Sequence, residues 1–241
     1  MNSPDRCLVY ESGPVRDATG DTIRPGGFYL TGRALGYCAF GPGAKILDVG
    51  CGTGATVEYL IDNGLDASGI DRSGVLLEAG RLRNPGLPLI QARGESLPFA
   101  DSEMDGIFAE CSLSLMSDTH RALSEMHRVL KSGGRLVLTD VYARNPGLQE
   151  KLRSLPLTSC LTGALSREEL ERKLVFNGFD IMLWEDHSNL LKDLTARLIW
   201  SHGSLDSFWR KMFAGDCDTG FVQETIAGSR PGYYLLIAGK P

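Results

Sequence analysis

Short apolar runs alternate with helix-like patterns along residues 44–141, and this alternation limits the possible folds more than any other feature. Runs of strand length occur at 44–49, 67–70, 87–91, 104–109 and 135–141. Segments with apolar residues at helical spacing, 53–63, 73–83 and 118–130, separate several of them. Continuous apolar strands joined by helices are typical of a parallel sheet covered on both faces. The pattern therefore predicts an α/β, Rossmann-like fold with helices on both faces of the sheet.

The last third of the chain departs from this alternation. Ser166 is followed three residues later by Glu169, a capping-box pattern that predicts the start of a helix. Apolar runs at 179–184 and 233–238 predict two more strands. The residues between these two strands, about 45 in number, are too many for a hairpin, and their helical pattern is interrupted at Gly203. We expect an additional helical layer there.

These elements together predict one domain with a seven-stranded, mostly parallel sheet whose last strand is antiparallel. Its expected parts are an N-terminal arm and helix (1–43), a cofactor-binding core (44–141) and a C-terminal helical cap insertion (186–231). Within the first part, residues 1–27, here called the N-terminal arm, are polar and rich in glycine and proline. The arm is therefore expected to be irregular, and a helix is predicted over 28–40.

Composition and charge argue against several kinds of partner. The formal net charge is -5 and no basic stripe is present, whereas a nucleic-acid partner would require one. No apolar run approaches the ~20 residues that span a bilayer, so no membrane partner is expected. The six cysteines include no CxxC pair, and no histidine lies at metal-ligand spacing. Reduced thiols in a cytoplasmic protein, and no metal site, are the expectations, while the oligomeric state is left open.

A glycine-rich turn follows the first predicted strand, with glycines at 50, 52 and 54. Their G-x-G-x-G spacing differs from the G-x-G-x-x-G of dinucleotide-binding folds. Asp48, two residues before the turn, would repel a pyrophosphate but attract an ammonium group. Asp71, 17 residues after Gly54, can accept hydrogen bonds from ribose hydroxyls. A ribose with an ammonium group and no phosphate describes S-adenosylmethionine, and a nicotinamide dehydrogenase remains the alternative.

Residues 45–141 closely resemble the class I S-adenosylmethionine-dependent methyltransferases, in the small-molecule, methyltransferase type 11-like group. The resemblance rests on the glycine turn and on the motifs at 69–71, 94–99 and 128–135. It implies S-adenosylmethionine as cofactor, S-adenosylhomocysteine as product and a small-molecule acceptor. The cofactor-binding residues that it implies are Asp48, Gly50, Cys51, Gly52, Gly54, Asp71, Arg72, Gly94, Glu95, Ser96 and Glu110.

Two of these assignments carry alternatives. The family usually has an acidic residue that binds the adenine amine where this chain has Arg93. Either Glu95 replaces that acid, or adenine is bound mainly by backbone groups. Glu110 is expected beside the methionine part of the cofactor, with a solvated loop charge as the alternative.

Methyl transfer from a sulfonium mainly requires a positioned acceptor and the exclusion of water, so no catalytic triad is expected. Acceptor-facing residues are predicted in the N-terminal arm and its following helix, after the fifth strand and in the cap. Tyr29 and Cys160 are the catalytic candidates.

Residues 159–165 resemble the corresponding stretch of arsenite methyltransferases. This resemblance implies that Cys160 binds a thiophilic acceptor, and its alternative is that Cys160 is a buried packing residue. Cys217 and Cys38 are the thiols that could converge with Cys160, although the family's C-terminal cysteine motif is not recognisable around Cys217. The functional alternatives are an arsenite or metalloid methyltransferase and a module that binds S-adenosylmethionine without turnover.

Overall fold

The computed structural model describes residues 7–11, 13–213 and 218–241, and for residues 7 and 8 the backbone alone. Its strands are β1 (Cys7–Leu8), β2 (Lys45–Val49), β3 (Asp66–Asp71), β4 (Leu89–Gln91), β5 (Met104–Glu110), β6 (Leu130–Ala143), β7 (Leu157–Thr158), β8 (Asp180–Asp186) and β9 (Pro231–Gly239). Its α-helices are α1 (Gly13–Thr19), α2 (Tyr29–Cys38), α3 (Ala55–Asp62), α4 (Gly74–Arg83), α5 (Thr119–Val129), α6 (Gln149–Ser154), α7 (Arg167–Phe176), α8 (Ser188–His202), α9 (Leu205–Phe213) and α10 (Thr219–Ser229).

Seven strands form the central sheet in the order β4-β3-β2-β5-β6-β9-β8. The pairs β4–β3, β3–β2, β2–β5 and β5–β6 are parallel. The last strand, β9, is antiparallel to both of its neighbours, β6 and β8. The predicted seven-stranded, mostly parallel sheet with an antiparallel last strand is confirmed.

Side chains alternate between two buried cores along the central strands. On β5, Phe108 belongs to one core, whereas Ile107 and Ala109 belong to the other. On β6, Val137 and Leu138 divide in the same way. Because successive side chains of a strand point to opposite faces, a continuous apolar run requires a cover on each face. The helices on the two faces provide that cover, as the pattern predicted.

Side-chain caps place the helix starts that the sequence predicted. The Asp118 carboxylate accepts a hydrogen bond from the Arg121 amide at the start of α5 (2.9 Å). Ser166 Oγ accepts one from the Glu169 amide at the start of α7 (3.2 Å). The Glu169 carboxylate accepts from Gln149 Nε2 (3.2 Å), which ties α7 to α6. These caps satisfy amides that the first helical turn leaves without partners.

The N-terminal arm is more regular than predicted. Its described part contains α1 and two short 3-10 helices, and β1 pairs in parallel with β7 outside the main sheet. Val15 of α1 is buried in a third core, together with Phe208 and Trp209 of α9. The expectation of an irregular arm was wrong because the contacts that order it come from the other end of the chain.

Three helices, α8 to α10, occupy the segment predicted as a helical cap insertion. Gly203, with φ +82°, separates α8 from α9, in agreement with the predicted break. His202 on α8 lies 3.2 Å from the Pro14 carbonyl of the arm, measured from Nε2 to O. Within the described ranges, none of the helices combines the length and apolarity that crossing a bilayer requires.

Candidate active site

A cavity of about 1190 Å³, including its open mouth, lies at the carboxyl ends of the parallel strands. The strand order changes direction between β2 and β5, so the chain leaves these neighbouring strands toward opposite sides. The walls come from the segments that follow β2, β3 and β5, from residues 92–95, from the N-terminal arm and from Thr158. In the described part of the chain, α8 to α10 contribute nothing to these walls. The cap therefore supports the arm, and the arm covers the cavity.

The glycine turn packs closely against the segment that follows β5. Gly50 has φ +85°, and a Cβ there would lie 2.3 Å from the Ser112 Cβ. Ser112 Oγ donates to the Val49 carbonyl (2.5 Å), which fixes this approach. The turn also bonds to β3, since the amides of Gly50 and Cys51 donate to the Ile70 carbonyl (2.8 and 2.9 Å). Glycine at position 50 is thus required both by dihedral angle and by contact.

Of the other residues of this turn, Cys51 and Gly52 face the cavity and Gly54 does not. Cys51 and Gly52 line it, and a Cβ on Gly52 would have only one neighbour, Ile23 Cδ1, at 3.8 Å. Gly54 lies outside the walls, because it begins α3 and a Cβ there would lie 2.9 Å from Leu89 Cδ2. Its position indicates a packing role instead of direct cofactor contact.

The Asp71 carboxylate is held in place by the backbone around it. Oδ2 accepts from the Gly52 amide (2.9 Å) and Oδ1 accepts from the Ser73 amide (2.8 Å). Each oxygen keeps a further lone pair for a ligand hydroxyl. Burial raises the pKa of this carboxyl above its ordinary value, and the two amides oppose that rise. A pair of ribose hydroxyls fits these acceptors.

Acidic side chains outnumber basic ones at the inner end of the cavity. The Glu110 carboxylate pairs with Arg24 at 2.9 Å, and the two side chains are 1% and 6% exposed. Thr31 Oγ1 (3.0 Å) and Thr56 Oγ1 (3.2 Å) also donate to this carboxylate. Asp48 is buried beside them, and burial followed by repulsion from Glu110 raises its pKa. The alternative of Glu110 as a solvated loop charge was wrong, and the excess of carboxylates favours a cationic ligand.

The residues predicted to bind adenine lie at the cavity rim. Arg72, Gly94 and Glu95 are in the wall, whereas Ser96 is outside it. Glu95 Oε1 accepts from both the amide and the hydroxyl of Ser117 (2.8 Å each), so this oxygen already has partners within the protein. This arrangement favours the alternative in which adenine is bound by backbone groups.

Cys160 lies next to the opposite end of the cavity. Its amide donates to Tyr10 Oη (3.0 Å), and Tyr10 and Cys111 both line the wall. The Tyr10 hydroxyl and the Cys111 thiol each lie close enough to the Cys160 thiol to interact with it. Cys38 does not join this group: it ends α2 and faces Arg135, near the amino end of the parallel pairing of β6. Cys217 lies outside the described residues.

Tyr29, the other catalytic candidate, is not part of the cavity wall. Its side chain is 60% exposed at the start of α2, and its ring contacts His187 edge-on, with 6.1 Å between the ring centroids. A catalytic role for Tyr29 therefore gains no support from its position. The sequence prediction missed Tyr10 and Asp140, and the only signal for Asp140 was an acidic residue inside an apolar strand.

Known proteins resemble this chain in sequence. A family model described as a methyltransferase domain matches residues 47–138. The demethylmenaquinone methyltransferase of Renibacterium salmoninarum is 32% identical over 191 residues, which cover 78% of this chain and 80% of the relative. The enzyme of the same name from Paenarthrobacter aurescens is 38% identical over 179 residues, which cover 72% of this chain and 67% of the relative.

Solved structures show the same architecture. The (4+2)-cyclase SpnF is 28% identical with a TM-score of 0.66, over 88% of this chain and 80% of that one. Phosphoethanolamine N-methyltransferase 2 of Haemonchus contortus, in complex with S-adenosyl-L-methionine, is 18% identical with a TM-score of 0.71. That likeness covers 95% of this chain and 56% of the other, and at this identity it shows the fold alone.

Proposed function

Because the chain belongs to the class I S-adenosylmethionine-dependent methyltransferases, we propose that it transfers the methyl group of S-adenosylmethionine to a small-molecule acceptor. The cofactor would occupy the cavity between the glycine turn and Asp71. The acceptor would lie at the end of the cavity formed by Tyr10 and Cys111. S-adenosylmethionine, when bound, supplies a methyl carbon that its sulfonium already activates for displacement.

The observation that carries the proposal is the fixed carboxylate of Asp71 beside the glycine turn. Both of its oxygens accept backbone amides and both keep acceptor capacity toward the cavity. Two adjacent hydroxyls of a ribose match such a pair of acceptors. A diphosphate would instead be repelled, because Asp48, Asp71 and Glu110 line the same cavity.

The charges at the inner end support an amino-acid-bearing nucleoside. Two carboxylates, Asp48 and Glu110, are buried with one guanidinium, that of Arg24. An ammonium group placed there would relieve the repulsion that raises the Asp48 pKa. S-adenosylmethionine carries both an ammonium and a sulfonium, whereas a nicotinamide dinucleotide brings phosphates.

The protein's contribution to the reaction would be position and exclusion of water. Residues of the N-terminal arm between Tyr10 and Arg24 form part of the cavity wall, so the donor and acceptor would meet in a partly covered space. The names of the curated relatives make a demethylmenaquinone the first acceptor to test.

Calorimetry with S-adenosylhomocysteine tests the cofactor site. Asp71→Asn should weaken binding by about 10- to 150-fold, because losing charge-assisted hydrogen bonds costs about 1.5–3 kcal/mol. Asp66→Asn is the matched control, since Asp66 lies exposed at the other end of the same strand. Equal affinity of the wild-type protein and Asp71→Asn would contradict the assignment of the ribose to Asp71.

Turnover is tested with S-adenosylmethionine labelled in its methyl group. We expect label to appear in a reduced quinol or another small acceptor, and reduced nicotinamide cofactor not to bind. Tight binding of S-adenosylhomocysteine without transfer to any acceptor of a broad panel would instead support a module that binds the cofactor without turnover.

A further inference from the structure

Three side chains of types that can bind metal ions come together from distant parts of the chain, beside the end of the cavity formed by Tyr10 and Cys111. Cys111 follows β5, Asp140 lies on β6, and Cys160 follows β7. One ligand atom from each lies within 4.8 Å of the other two. We propose that this thiol cluster (Cys111, Asp140 and Cys160) binds one soft divalent cation of the Zn²⁺ type.

The donor set determines which ions it suits. Two thiolates and one carboxylate are the ligand types that Zn²⁺ and Cd²⁺ accept, whereas Mg²⁺ and Ca²⁺ prefer oxygen ligands throughout. Cys111 and Asp140 are buried, and Cys160 is only partly buried. Three protein ligands leave a fourth position open, which is the arrangement of catalytic zinc sites and not of closed structural ones.

Hydrogen bonds outside the cluster hold Asp140 in place. Oδ1 accepts from Ser114 Oγ (3.0 Å) and from the Val141 amide (2.8 Å), and Oδ2 accepts from the Ser114 amide (3.0 Å). Oδ2 therefore keeps a lone pair for an ion. Outer contacts of this kind orient the ligands of metal sites.

The two cysteines are also positioned by their backbones. Cys111 has φ +54°, a left-handed conformation that is uncommon for a residue other than glycine, and its amide donates to the Thr139 carbonyl (2.6 Å). Such backbone conformations persist where surrounding contacts enforce them, and they are concentrated at functional sites. The Cys160 amide donates to Tyr10 Oη (3.0 Å).

The segment that carries Cys160 also contains a buried hydroxyl. Ser159 Oγ, one residue before Cys160, is buried and makes no hydrogen bond among the residues that the structure describes. Buried polar groups of this kind are rare and call for an explanation. A bound water or another small polar molecule would satisfy this hydroxyl.

The position of the cluster suggests what the ion does, and this step rests on the proposed function. Cys111 and Tyr10 line the same cavity as the glycine turn and Asp71. A thiol or hydroxyl acceptor at the open position would lose its proton to solvent more readily. Its lone pair then forms the bond to the methyl carbon while the sulfonium carbon–sulfur bond breaks. The products are the neutral methylated acceptor and S-adenosylhomocysteine.

Titration of the chelator-treated full-length protein with Cd²⁺ tests the site, and Zn²⁺ competition follows. The ultraviolet band of cadmium–thiolate bonds and calorimetric stoichiometry should both report one ion per chain. Cys160→Ser and Cys111→Ser should each weaken binding by at least about 100-fold, because loss of an outer-shell contact alone typically costs 10- to 100-fold. Cys38→Ser is the matched control, since its thiol faces Arg135 at the other end of the sheet.

Binding of S-adenosylhomocysteine, measured on the same variants, separates this proposal from the proposed function. Retained S-adenosylhomocysteine binding with lost Cd²⁺ binding in Cys160→Ser supports the site and shows that the variant is folded. A wild-type protein that binds Cd²⁺ but no S-adenosylhomocysteine would overturn the proposed function and leave the site standing. The site is overturned if the wild-type protein binds no stoichiometric Cd²⁺, if Cys38→Ser loses as much affinity as Cys160→Ser, or if only trivalent arsenite binds.

Discussion

Replacement of Arg24 by methionine should destabilise the protein far more than loss of an ordinary surface charge. Arg24 is the cationic partner of Glu110, with 2.9 Å between the guanidinium and the carboxylate and both side chains almost fully buried. In Arg24→Met the Glu110 carboxylate keeps only the hydroxyls of Thr31 and Thr56. Removing one partner of a buried ion pair costs about 3–5 kcal/mol, because an uncompensated charge remains.

The expected loss of stability can be measured as a free energy of unfolding or as a shift in Tm. A loss of about 3–5 kcal/mol is a large part of the 5–15 kcal/mol by which domains are typically stable. For a chain of this length it corresponds to a Tm lower by roughly 6–20 °C. Urea unfolding followed by circular dichroism would give the free energy of unfolding, with fluorescence as a second probe of two-state behaviour.

Two further variants make the experiment specific. Glu110→Gln should cost less, about 1–3 kcal/mol, because Arg24 still donates to Gly27 O, Thr56 and Thr31. Arg33→Met is the matched control, because its pair with Glu185 has a similar distance of 2.7 Å but exposed fractions of 43% and 25%. Pairs as exposed as that contribute about 0–1 kcal/mol. If Arg24→Met and Arg33→Met lose the same small amount of stability, the account of a buried, energetically coupled pair is wrong.

Three other predictions test the walls of the cavity. Gly50→Ala should lose S-adenosylhomocysteine binding and more stability than Gly43→Ala, since both glycines have positive φ but only the Cβ at position 50 meets a neighbouring side chain; equal losses in urea unfolding would contradict this. Asp48→Asn should flatten the pH dependence of stability above pH ~4. The raised pKa of Asp48 means that the folded state binds the proton more tightly than the unfolded state, so the wild-type protein loses stability as pH rises. Unfolding curves at several pH values measure this, and an unchanged slope of stability against pH would count against it. Gly163→Ala should cost about 1–3 kcal/mol and weaken Cd²⁺ binding, because its Cβ would lie 1.8 Å from the Ser114 carbonyl oxygen; wild-type values in both assays would refute the packing argument.

The central sheet could be predicted because its signal is local. The central strands β2, β5 and β6 carry apolar side chains into both cores, and burial on both faces makes such apolar runs necessary. The glycine turn was equally accessible, since Gly50 must approach another segment and adopt a positive φ. Asp71 follows from the same logic, as a carboxylate at the end of the neighbouring strand.

Features that depend on distant contacts could not be predicted in this way. Helix α1 has a single buried apolar side chain, Val15, so its seven residues show no helical periodicity. Its partners on α9, Phe208 and Trp209, lie more than 190 residues further along the chain. The alternative of Glu110 as a solvated loop charge stayed open because its partner, Arg24, belongs to a segment that was expected to be irregular. Cap residues were expected to face the acceptor, but the arm lies between them and the cavity.

The thiol cluster could not be predicted from the sequence for the same reason, because its side chains come from distant segments. Its three side chains are separated by 29 and 20 residues along the chain, so the spacing rules for zinc motifs could not find them. They meet because parallel neighbouring strands end at one edge of the sheet, and the segment carrying Cys160 returns to that edge. Metal-ligand spacing therefore predicts sites within one hairpin or helix, whereas a parallel sheet assembles ligands by topology.

The N-terminal arm connects the two ends of the cavity. Arg24 neutralises Glu110 at the end assigned to the cofactor, and Tyr10 accepts the Cys160 amide at the end assigned to the acceptor. The arm also packs against α9, since Val15 is buried in one core with Phe208 and Trp209. A ligand that tightens one of these contacts reduces the cost of ordering the arm for the other. If the cofactor and the acceptor bind as proposed, this arrangement predicts that the arm couples them, and by linkage each would raise the affinity for the other equally.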